Sequence, residues 1–122
     1  MAKKILIVDD NKDIVRLISS RLKANNYDVI SAFDTLMVMQ LVLKEKPDLI
    51  ILDNWLPNGT GLNLIGKLKK TPKTAAIPIV LITAQAGTTI RDLALEQGAV
   101  DFIAKPFDAG DMLKKIKKAL GE

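Results

Sequence analysis

The sequence predicts an α/β fold in which five parallel strands form one sheet with helices on both faces, a (βα)5 doubly wound arrangement. Short apolar segments recur at similar intervals, at Ile5–Val8, Val29–Ala32, Leu49–Leu52, Ile79–Ile82 and, more weakly, Val100–Ala104. Between them, apolar residues recur with the spacing of one helix face. Because strands that alternate with helices pair in parallel, each face of the predicted sheet needs a layer of helices.

The polarity of the strands predicts their order in the sheet. The first, third and fourth segments are apolar throughout, which is typical of strands buried on both faces. The second segment contains Asp28 and Ser31, and the fifth contains Asp101, so these two are predicted to be edge strands. The resulting order is 2-1-3-4-5, with the switch point between the first and third strands.

Capping and terminating residues indicate where the helices begin and end. Asp108 is a predicted N-cap of the last helix, and Gly121 is its predicted end. Gly98 is predicted to end the fourth helix, and Asn25-Asn26 the first. The first helix has a predicted buried face that consists of Ile14, Leu17, Ile18 and Leu22.

The second helix departs from an amphipathic pattern. From Leu36 to Leu43 the sequence reads LMVMQLVL, so apolar residues surround nearly the whole helix. One interpretation is that the helix exposes a docking or self-association surface, for which methionine-rich faces are suited. The other is that the helix is buried more than usual, or exposes scattered apolar residues that have no function. The sequence pattern alone leaves these interpretations open.

Composition excludes several classes of site. The 122-residue chain is 48% apolar and has no predicted linker, so residues 1–122 are expected to form one domain. It has no cysteine and no histidine, which excludes thiol nucleophiles, imidazole bases and zinc sites made of these ligands. No apolar run is long enough to span a bilayer, so a cytoplasmic protein is expected. The net charge of +4 includes lysine clusters within 67–73 and 114–118. These clusters either bind nucleic acid or an acidic partner, or are solvated helix surfaces.

Polar residues directly follow four of the predicted strands, namely Asp9 and Asp10, Asp53, Thr83 and Lys105. In an open parallel sheet, ligands bind beyond the carboxyl ends of the strands near the switch point, so these side chains are expected to converge. Three carboxylates in one place need positive charge, of which Lys105 supplies only part. Because only oxygen ligands are available, Mg²⁺ or Mn²⁺ is the expected cofactor, rather than zinc or copper.

This combination of groups suits phosphoryl chemistry. A divalent cation and Lys105 would neutralise charge on the transferred oxygens, and Thr83 would add a hydrogen bond. One of the three carboxylates would be the nucleophile and would become an acyl phosphate. The sequence pattern itself does not say which of the three carboxylates it is.

The motifs at these strand ends resemble those of two-component response regulator receiver domains, and the resemblance covers essentially the whole chain. The matching segments are Ile5–Asn11, Pro47–Asp53, Leu56-Pro57 with Gly61, Ile82–Ala84 and Lys105–Phe107. An Asp-Asp or Lys-Pro pair alone is weak evidence, whereas their joint occurrence at four strand ends in the right order is specific. The chain is similar to the single-domain chemotaxis regulator, which implies a flavodoxin-like fold.

The resemblance implies that Asp53 is the phosphoacceptor and that the residues around it bind Mg²⁺. Asp10, Asp53 and the backbone carbonyl of Trp55 would be direct ligands, and Asp9 would act through a water molecule. The side chain of Trp55 is a bulky choice so near the acceptor. We predict that Trp55, together with Gln85, shields the acyl phosphate from attacking water.

The resemblance also implies how the phosphoryl group is held and sensed. Thr83, the backbone N–H of Ala84 and Lys105 would contact the phosphoryl oxygens, and the bond from Lys105 to Pro106 would be cis. The family couples phosphorylation to movement of Thr83 and of an aromatic residue three positions before the lysine, here Phe102. Many members have tyrosine there, and phenylalanine lacks its hydroxyl group for hydrogen bonding.

The implied function is a phosphoacceptor switch in a phosphorelay, not a conventional enzyme, although the chain would promote phosphoryl transfer to Asp53 and its slow hydrolysis. The donor must be external, because the chain has no histidine and no nucleotide-binding glycine loop. A sensor histidine kinase or a His phosphotransfer protein would dock near the first helix. A downstream protein would contact the fourth helix, the fifth strand and the fifth helix. We expect a monomer or a phosphorylation-dependent dimer, with no DNA-binding domain in the chain and no membrane partner.

Three alternatives stand beside this interpretation. A metal-dependent phosphohydrolase with an Asp nucleophile would usually carry an Asp-x-Asp pair and a cap domain, whereas this sequence has an adjacent pair and no cap. A receiver-like binding module with a silent pocket is disfavoured because all five pocket positions are filled. The third is a receiver excised from a longer regulator; Met1 and Gly121-Glu122 favour a complete chain, although a trimmed one would look the same.

Overall fold

The computed structural model, which describes residues 2–84 and 88–122, has strands and helices in alternation along the chain. The strands of the main sheet are β1 (Lys4–Val8), β2 (Asp28–Ala32), β3 (Leu49–Asp53), β4 (Ile79–Thr83) and β5 (Asp101–Ala104). The helices are α1 (Lys12–Ala24), α2 (Thr35–Glu45), α3 (Gly61–Lys70), α4 (Thr88–Gln97) and α5 (Ala109–Ala119). All strands of this sheet are parallel and their order is β2-β1-β3-β4-β5, so the predicted fold class and strand order are confirmed.

The sheet separates two apolar cores because alternate residues of each strand face opposite sides. On one face, Leu6, Ile50 and Leu81 pack in a buried cluster with residues of α2, α3 and α4. On the other face, Ile5, Ile51, Val80 and residues of α1 and α5 form a second cluster. The central strands β1, β3 and β4 are almost completely buried, as their apolar sequences predicted.

The buried face of α1 differs in part from the prediction. Val15, Ile18 and Leu22 are the buried residues of this helix, and Leu17 is about half exposed. Leu17 and Ile18 are adjacent and therefore point about 100° apart on a helix, so only one of them lies at the centre of the buried face. The prediction that Leu17 belongs to this face was wrong.

Helix ends follow the predicted residues. Asp108 caps α5 by accepting a hydrogen bond from the backbone N–H of Asp111 at 2.9 Å. Gly98, directly after α4, has a φ of 116°, and Asn26, after α1, has a φ of 69°. These left-handed conformations end a helix and favour glycine or asparagine. In the described part of the chain, no helix has the length and apolar character needed to cross a bilayer.

The apolar helix α2 is buried on one side only. Val38 and Val42 are completely buried against the sheet, while Leu36, Met37 and Leu43 are exposed to solvent. Its first residue, Thr35, contacts a short hairpin whose two strands, Trp55–Leu56 and Gly59–Thr60, have two residues each. The Thr35 hydroxyl group donates a hydrogen bond to the carbonyl oxygen of Asn58 at 2.9 Å. The helix therefore presents an apolar face to solvent beside the segment that follows β3.

Candidate functional site

The strand register brings the predicted site residues to one edge of the sheet. Val8, the last residue of β1, lies beside Leu52 of β3, and Asp53 lies beside Ile82 of β4. The last residues of β4 and β5 are likewise paired, so the segments that follow them leave the sheet side by side. Asp53 and Thr83 are the last residues of β3 and β4, whereas Asp9 and Asp10 follow β1 and Lys105 follows β5. These are the five residues that the sequence predicted to converge.

The centre of this cluster is an ion-pair arrangement around Lys105. Its Nζ lies 2.8 Å from Oδ2 of Asp9 and 3.4 Å from Oδ1 of Asp53. Asp9 is 1% exposed and Asp53 is 6% exposed, so both carboxylates are largely removed from solvent. The other oxygen of Asp9 accepts a hydrogen bond from the backbone N–H of Asn11 at 2.9 Å, which fixes its orientation.

Burial and mutual repulsion shift the protonation of these groups. Burial, together with the charge of Asp9, raises the pKa of Asp53 to about 6, although the charge of Lys105 opposes this shift. Burial alone would lower the pKa of Lys105, but its hydrogen bond to Asp9 and the charge of Asp53 outweigh burial and raise that pKa. Lys105 is therefore a permanent cation, and one cation does not neutralise the carboxylates that face it.

The remaining negative charge makes the cluster suitable for a hard divalent cation. Asp10, which is exposed, adds a third carboxylate, and one oxygen each from Asp9, Asp10 and Asp53 lie within 4.8 Å of one another. Carboxylate oxygens match the preference of Mg²⁺, which binds one or two carboxylates and keeps several waters, and Asp10 opens the cluster to solvent. The donor set on this edge therefore fits Mg²⁺ or Mn²⁺.

The other predicted residues that the structure describes lie on β4 or β5, or shortly after β3 or β4. Thr83 is completely buried at the end of β4, and Ala84 follows it at the surface. The side chain of Trp55 is 52% exposed, and Gln85, its predicted partner in shielding, lies outside the described residues. Phe102 is mostly buried in the core on the α3 and α4 side.

Two features of the backbone support the site directly. The bond between Lys105 and Pro106 is cis, as the resemblance implied. The backbone N–H of Lys105 donates a 2.8 Å hydrogen bond to the carbonyl oxygen of Thr83, which extends the pairing of β4 and β5 as far as the lysine. Lys105 is thereby held beside the ends of both strands.

Sequence reasoning missed the role of Asn54, which follows the candidate acceptor directly. Asn54 is buried, its side-chain oxygen accepts a hydrogen bond from the N–H of Leu62 at 3.1 Å, and its carbonyl accepts one from Gly61 at 2.8 Å. These bonds tie the start of α3 to the end of β3 and so fix the backbone of Asp53. An asparagine beside the acceptor and a glycine eight residues beyond the acceptor were the available signals.

A second missed contact involves Lys115 of α5. Its Nζ donates a 2.9 Å hydrogen bond to the carbonyl oxygen of Phe102 and lies 3.7 Å from the carboxylate of Asp111. The contact joins α5 to β5 next to the predicted switch residue. No sequence pattern indicates it, because lysines also occupy neighbouring positions of the same helix.

The raised pKa of Asp53 predicts how stability depends on pH when no metal is present. The folded state binds the Asp53 proton more tightly than the unfolded chain, so the contribution of this group to the free energy of unfolding falls as pH rises from about 4 to about 6. Asp53→Asn should remove this slope and stabilise the metal-free protein at neutral pH by roughly 1–2 kcal/mol.

Urea unfolding in the presence of EDTA at several pH values measures this effect. Asp48→Asn is the matched control, because Asp48 is exposed and directly precedes β3, at the end of the strand opposite to Asp53. A wild-type slope that survives in Asp53→Asn would contradict the prediction.

Comparisons with known proteins agree with this geometry. The family model for the response regulator receiver domain matches residues 5–117. The response regulator PleD of Caulobacter vibrioides is 42% identical over 117 residues, which cover 96% of this chain and 26% of PleD. The chain therefore spans about a quarter of the length of this curated relative.

Solved structures with the same fold are also similar to the chain over its whole length. A putative response regulator from Chloroflexus aurantiacus has a TM-score of 0.96 and 30% identity, with all of both chains covered. The receiver domain of NtrX from Brucella abortus has a TM-score of 0.89 and 32% identity, covering 96% of this chain and 98% of that one. The chemotaxis response regulator CheY4 of Vibrio cholerae has a TM-score of 0.91 and 25% identity, covering 98% and 99%. By its family match and its structure, the chain belongs to the response regulator receiver domain family.

Proposed function

We propose that the chain is a phosphoacceptor switch in which Asp53 takes a phosphoryl group from a phosphohistidine donor. The observation that carries this proposal is the cluster of three carboxylates around the ammonium group of Lys105, at the carboxyl end of the central strands. Because the chain belongs to the receiver family, we expect this cluster to serve in signalling and not in a conventional enzyme.

The transfer is a displacement at phosphorus. A carboxylate oxygen of Asp53 attacks the phosphorus atom, the bond between phosphorus and the donor's imidazole nitrogen breaks, and the imidazole leaves with that electron pair. The product is an acyl phosphate on Asp53. A pKa of about 6 keeps this carboxylate mostly ionised, and therefore nucleophilic, at neutral pH.

The neighbouring residues would position the reacting groups. Asp10, Asp53 and the backbone carbonyl of Trp55 would ligate Mg²⁺ directly, and Asp9 would contact it through water. A Mg²⁺ ion held there would offset the negative charge of the carboxylates and of the transferred oxygens. Lys105, already 3.4 Å from Asp53, would bind a phosphoryl oxygen.

Thr83 and the backbone N–H of Ala84 would hold further phosphoryl oxygens. A buried hydroxyl group next to the end of β4 supports this role for Thr83. Movement of Thr83 and of Phe102 would then carry the signal to the surface made of α4, β5 and α5, where a downstream protein binds. The donor, a sensor histidine kinase or a His phosphotransfer protein, would dock beside α1.

Intact-mass spectrometry after treatment with acetyl phosphate and Mg²⁺ tests the proposal. We expect the mass of one phosphoryl group to be added to the wild-type chain, and no addition without Mg²⁺ or in Asp53→Ala. The expected effect is a complete loss, because Asp53 is the proposed acceptor, and Asp9, the other carboxylate beside Lys105, is already held by Lys105 and by the backbone N–H of Asn11.

The matched control is Asp48→Ala, which changes an exposed aspartate at the other end of the same strand and should leave labelling unchanged. Labelling that persists in Asp53→Ala would overturn the assignment of the acceptor. Repeated turnover of a small phosphate ester, instead of stoichiometric labelling, would favour a phosphohydrolase, which the relatives do not favour.

Trp55 is predicted to prolong the lifetime of the acyl phosphate. Its side chain is about half exposed on the hairpin two residues after Asp53, where it could limit the approach of water. Trp55→Ala should shorten the dephosphorylation half-life several-fold, whereas Trp55→Phe should retain most of it. An unchanged half-life in Trp55→Ala, measured by loss of the phosphorylated mass, would show that the ring does not shield the site.

A further inference from the structure

The outer face of α2 is an apolar surface that the phosphoacceptor site does not use. Leu36 is 71% exposed, and Met37 and Leu43 are each at least 40% exposed. On a helix these residues and Gln40 fall on one side, opposite the buried Val38 and Val42. Contiguous apolar surface of this kind on a small protein commonly marks an interaction site. We refer to Leu36, Met37, Gln40 and Leu43 as the α2 face.

An open apolar cavity adjoins the carboxyl end of this face. It has a volume of about 690 Å³ and is lined by Val42, Leu43 and Lys46 of α2 and its end, and by Pro47, Lys73 and Ile77. Leu43 belongs both to the cavity and to the α2 face, so the two are continuous. The same helix therefore has an exposed leucine, Leu36, in its first turn and an apolar cavity beside its last turn.

We propose that the α2 face binds a second copy of this chain, with the two α2 helices antiparallel about a two-fold axis near Gln40. Leu36 and Leu43 are seven residues apart, about 10 Å along the helix, and lie on the same side of it. A two-fold axis midway between them brings each Leu36 to the partner's Leu43 and to the cavity beside it. The contact is reciprocal, as an isologous interface requires.

The polar groups of α2 agree with antiparallel packing. Gln40 lies at the middle of the face, with the exposed Lys44 on the same side nearer the carboxyl end of the helix. Gln40 would meet its own copy at the axis, where two amides donate to and accept from each other. Lys44 and Lys46 are exposed near the carboxyl end, and neither forms an ion pair with any described residue. In antiparallel packing these lysines lie far from their copies in the partner, and the two helix dipoles point in opposite directions, which is favourable. Parallel packing would instead place the lysines of the two copies side by side.

The size of the surface predicts a weak dimer. One face of an eleven-residue helix buries less than the roughly 800 Å² per partner of a standard interface. We therefore expect dissociation constants on the order of 10–100 μM, with the dimer present in unphosphorylated protein and without metal.

Sedimentation velocity from low to high micromolar concentration tests the proposal on the full chain with EDTA. The wild-type protein should shift from monomer towards dimer, and Leu36→Glu should remain monomeric throughout. Leu95→Glu is the matched control, because Leu95 is an exposed leucine on α4 that lies outside the α2 face. Both substitutions are at solvent-exposed positions, and thermal unfolding confirms that each variant is folded.

The lack of cysteine in the chain provides a second, independent measurement. Gln40→Cys should form an intermolecular disulfide under mild oxidation faster than Leu95→Cys at equal concentration, since only position 40 would face its copy. The proposal is overturned if wild type stays monomeric at the highest concentration or if Leu95→Glu, and not Leu36→Glu, abolishes the dimer. Cross-linking of Gln40→Cys no faster than that of Leu95→Cys would also overturn it.

Discussion

Lys105→Met is expected to lower the free energy of unfolding of the metal-free protein by about 2–3 kcal/mol at neutral pH. The substitution removes the cation that lies 2.8 Å from Asp9 and 3.4 Å from Asp53. Both carboxylates are buried, so neither recovers its lost interaction by binding water. Proton uptake by Asp53 limits the loss, because its pKa is already raised to about 6 and rises further without the lysine.

This explanation predicts a dependence on pH and on metal that a simple packing defect would not show. The destabilisation should be smaller at pH 5, where Asp53 is protonated in the folded state. Added Mg²⁺ should recover part of the stability, because a cation that binds only the folded protein stabilises it. The double variant Lys105→Met with Asp53→Asn should be more stable than Lys105→Met alone.

Chemical denaturation followed by circular dichroism measures each of these effects. Lys3→Met is the matched control, because Lys3 forms an ion pair of 3.5 Å with Glu122 in which both side chains are more than a third exposed. Such pairs contribute little, so the control should change stability by less than about 1 kcal/mol. Equal destabilisation at neutral pH and at pH 5 would show that electrostatic repulsion in the cluster is not the cause.

The positions of Asp9, Asp53 and Lys105 could be predicted because each directly follows an apolar segment of the sequence that was predicted to be a strand. Parallel strands of one sheet end at the same edge, so the topology alone brings such residues together once the strand order is known. The order in turn followed from polarity, since Asp28 and Asp101 mark the two edge strands. In this fold the sheet converts a sequence spacing of tens of residues into contacts of about 3 Å.

The supporting contacts could not be predicted because they depend on loop conformation. The bond between Gly61 and the carbonyl oxygen of Asn54 joins residues seven apart across a hairpin whose conformation no periodicity specifies. Leu17 was assigned to the wrong side because it is adjacent to Ile18 and points about 100° away from it around the helix. The exposure of the α2 face had a different cause. When apolar residues occupy most positions of a helix, the periodic signal does not define which side is buried, and the packing against the sheet decides it.

Gly61→Ala is expected to have the second large effect, a loss of about 3 kcal/mol in the free energy of unfolding together with slower phosphorylation. A Cβ atom at Gly61 would lie 2.5 Å from the carbonyl oxygen of Asp53 and 3.0 Å from both Cα of Asn54 and Cδ1 of Leu81. Two of these atoms belong to the backbone at the end of β3, which is held in the sheet. Relief of the clash therefore requires displacement of the segment that positions Asp53.

Gly66→Ala provides the matched control within the same helix. A Cβ atom there would meet only the end of the flexible Gln97 side chain, at 3.0 Å from its Oε1, so the neighbour can move away. Because alanine is favoured over glycine inside a helix, Gly66→Ala should be neutral or should stabilise the protein by up to about 1 kcal/mol. Comparing the unfolding free energies and the phosphorylation rates of the two variants separates close packing at Gly61 from helix propensity. Equal effects of the two substitutions would refute the packing explanation, and normal phosphorylation in a destabilised Gly61→Ala would show that the site does not depend on this contact.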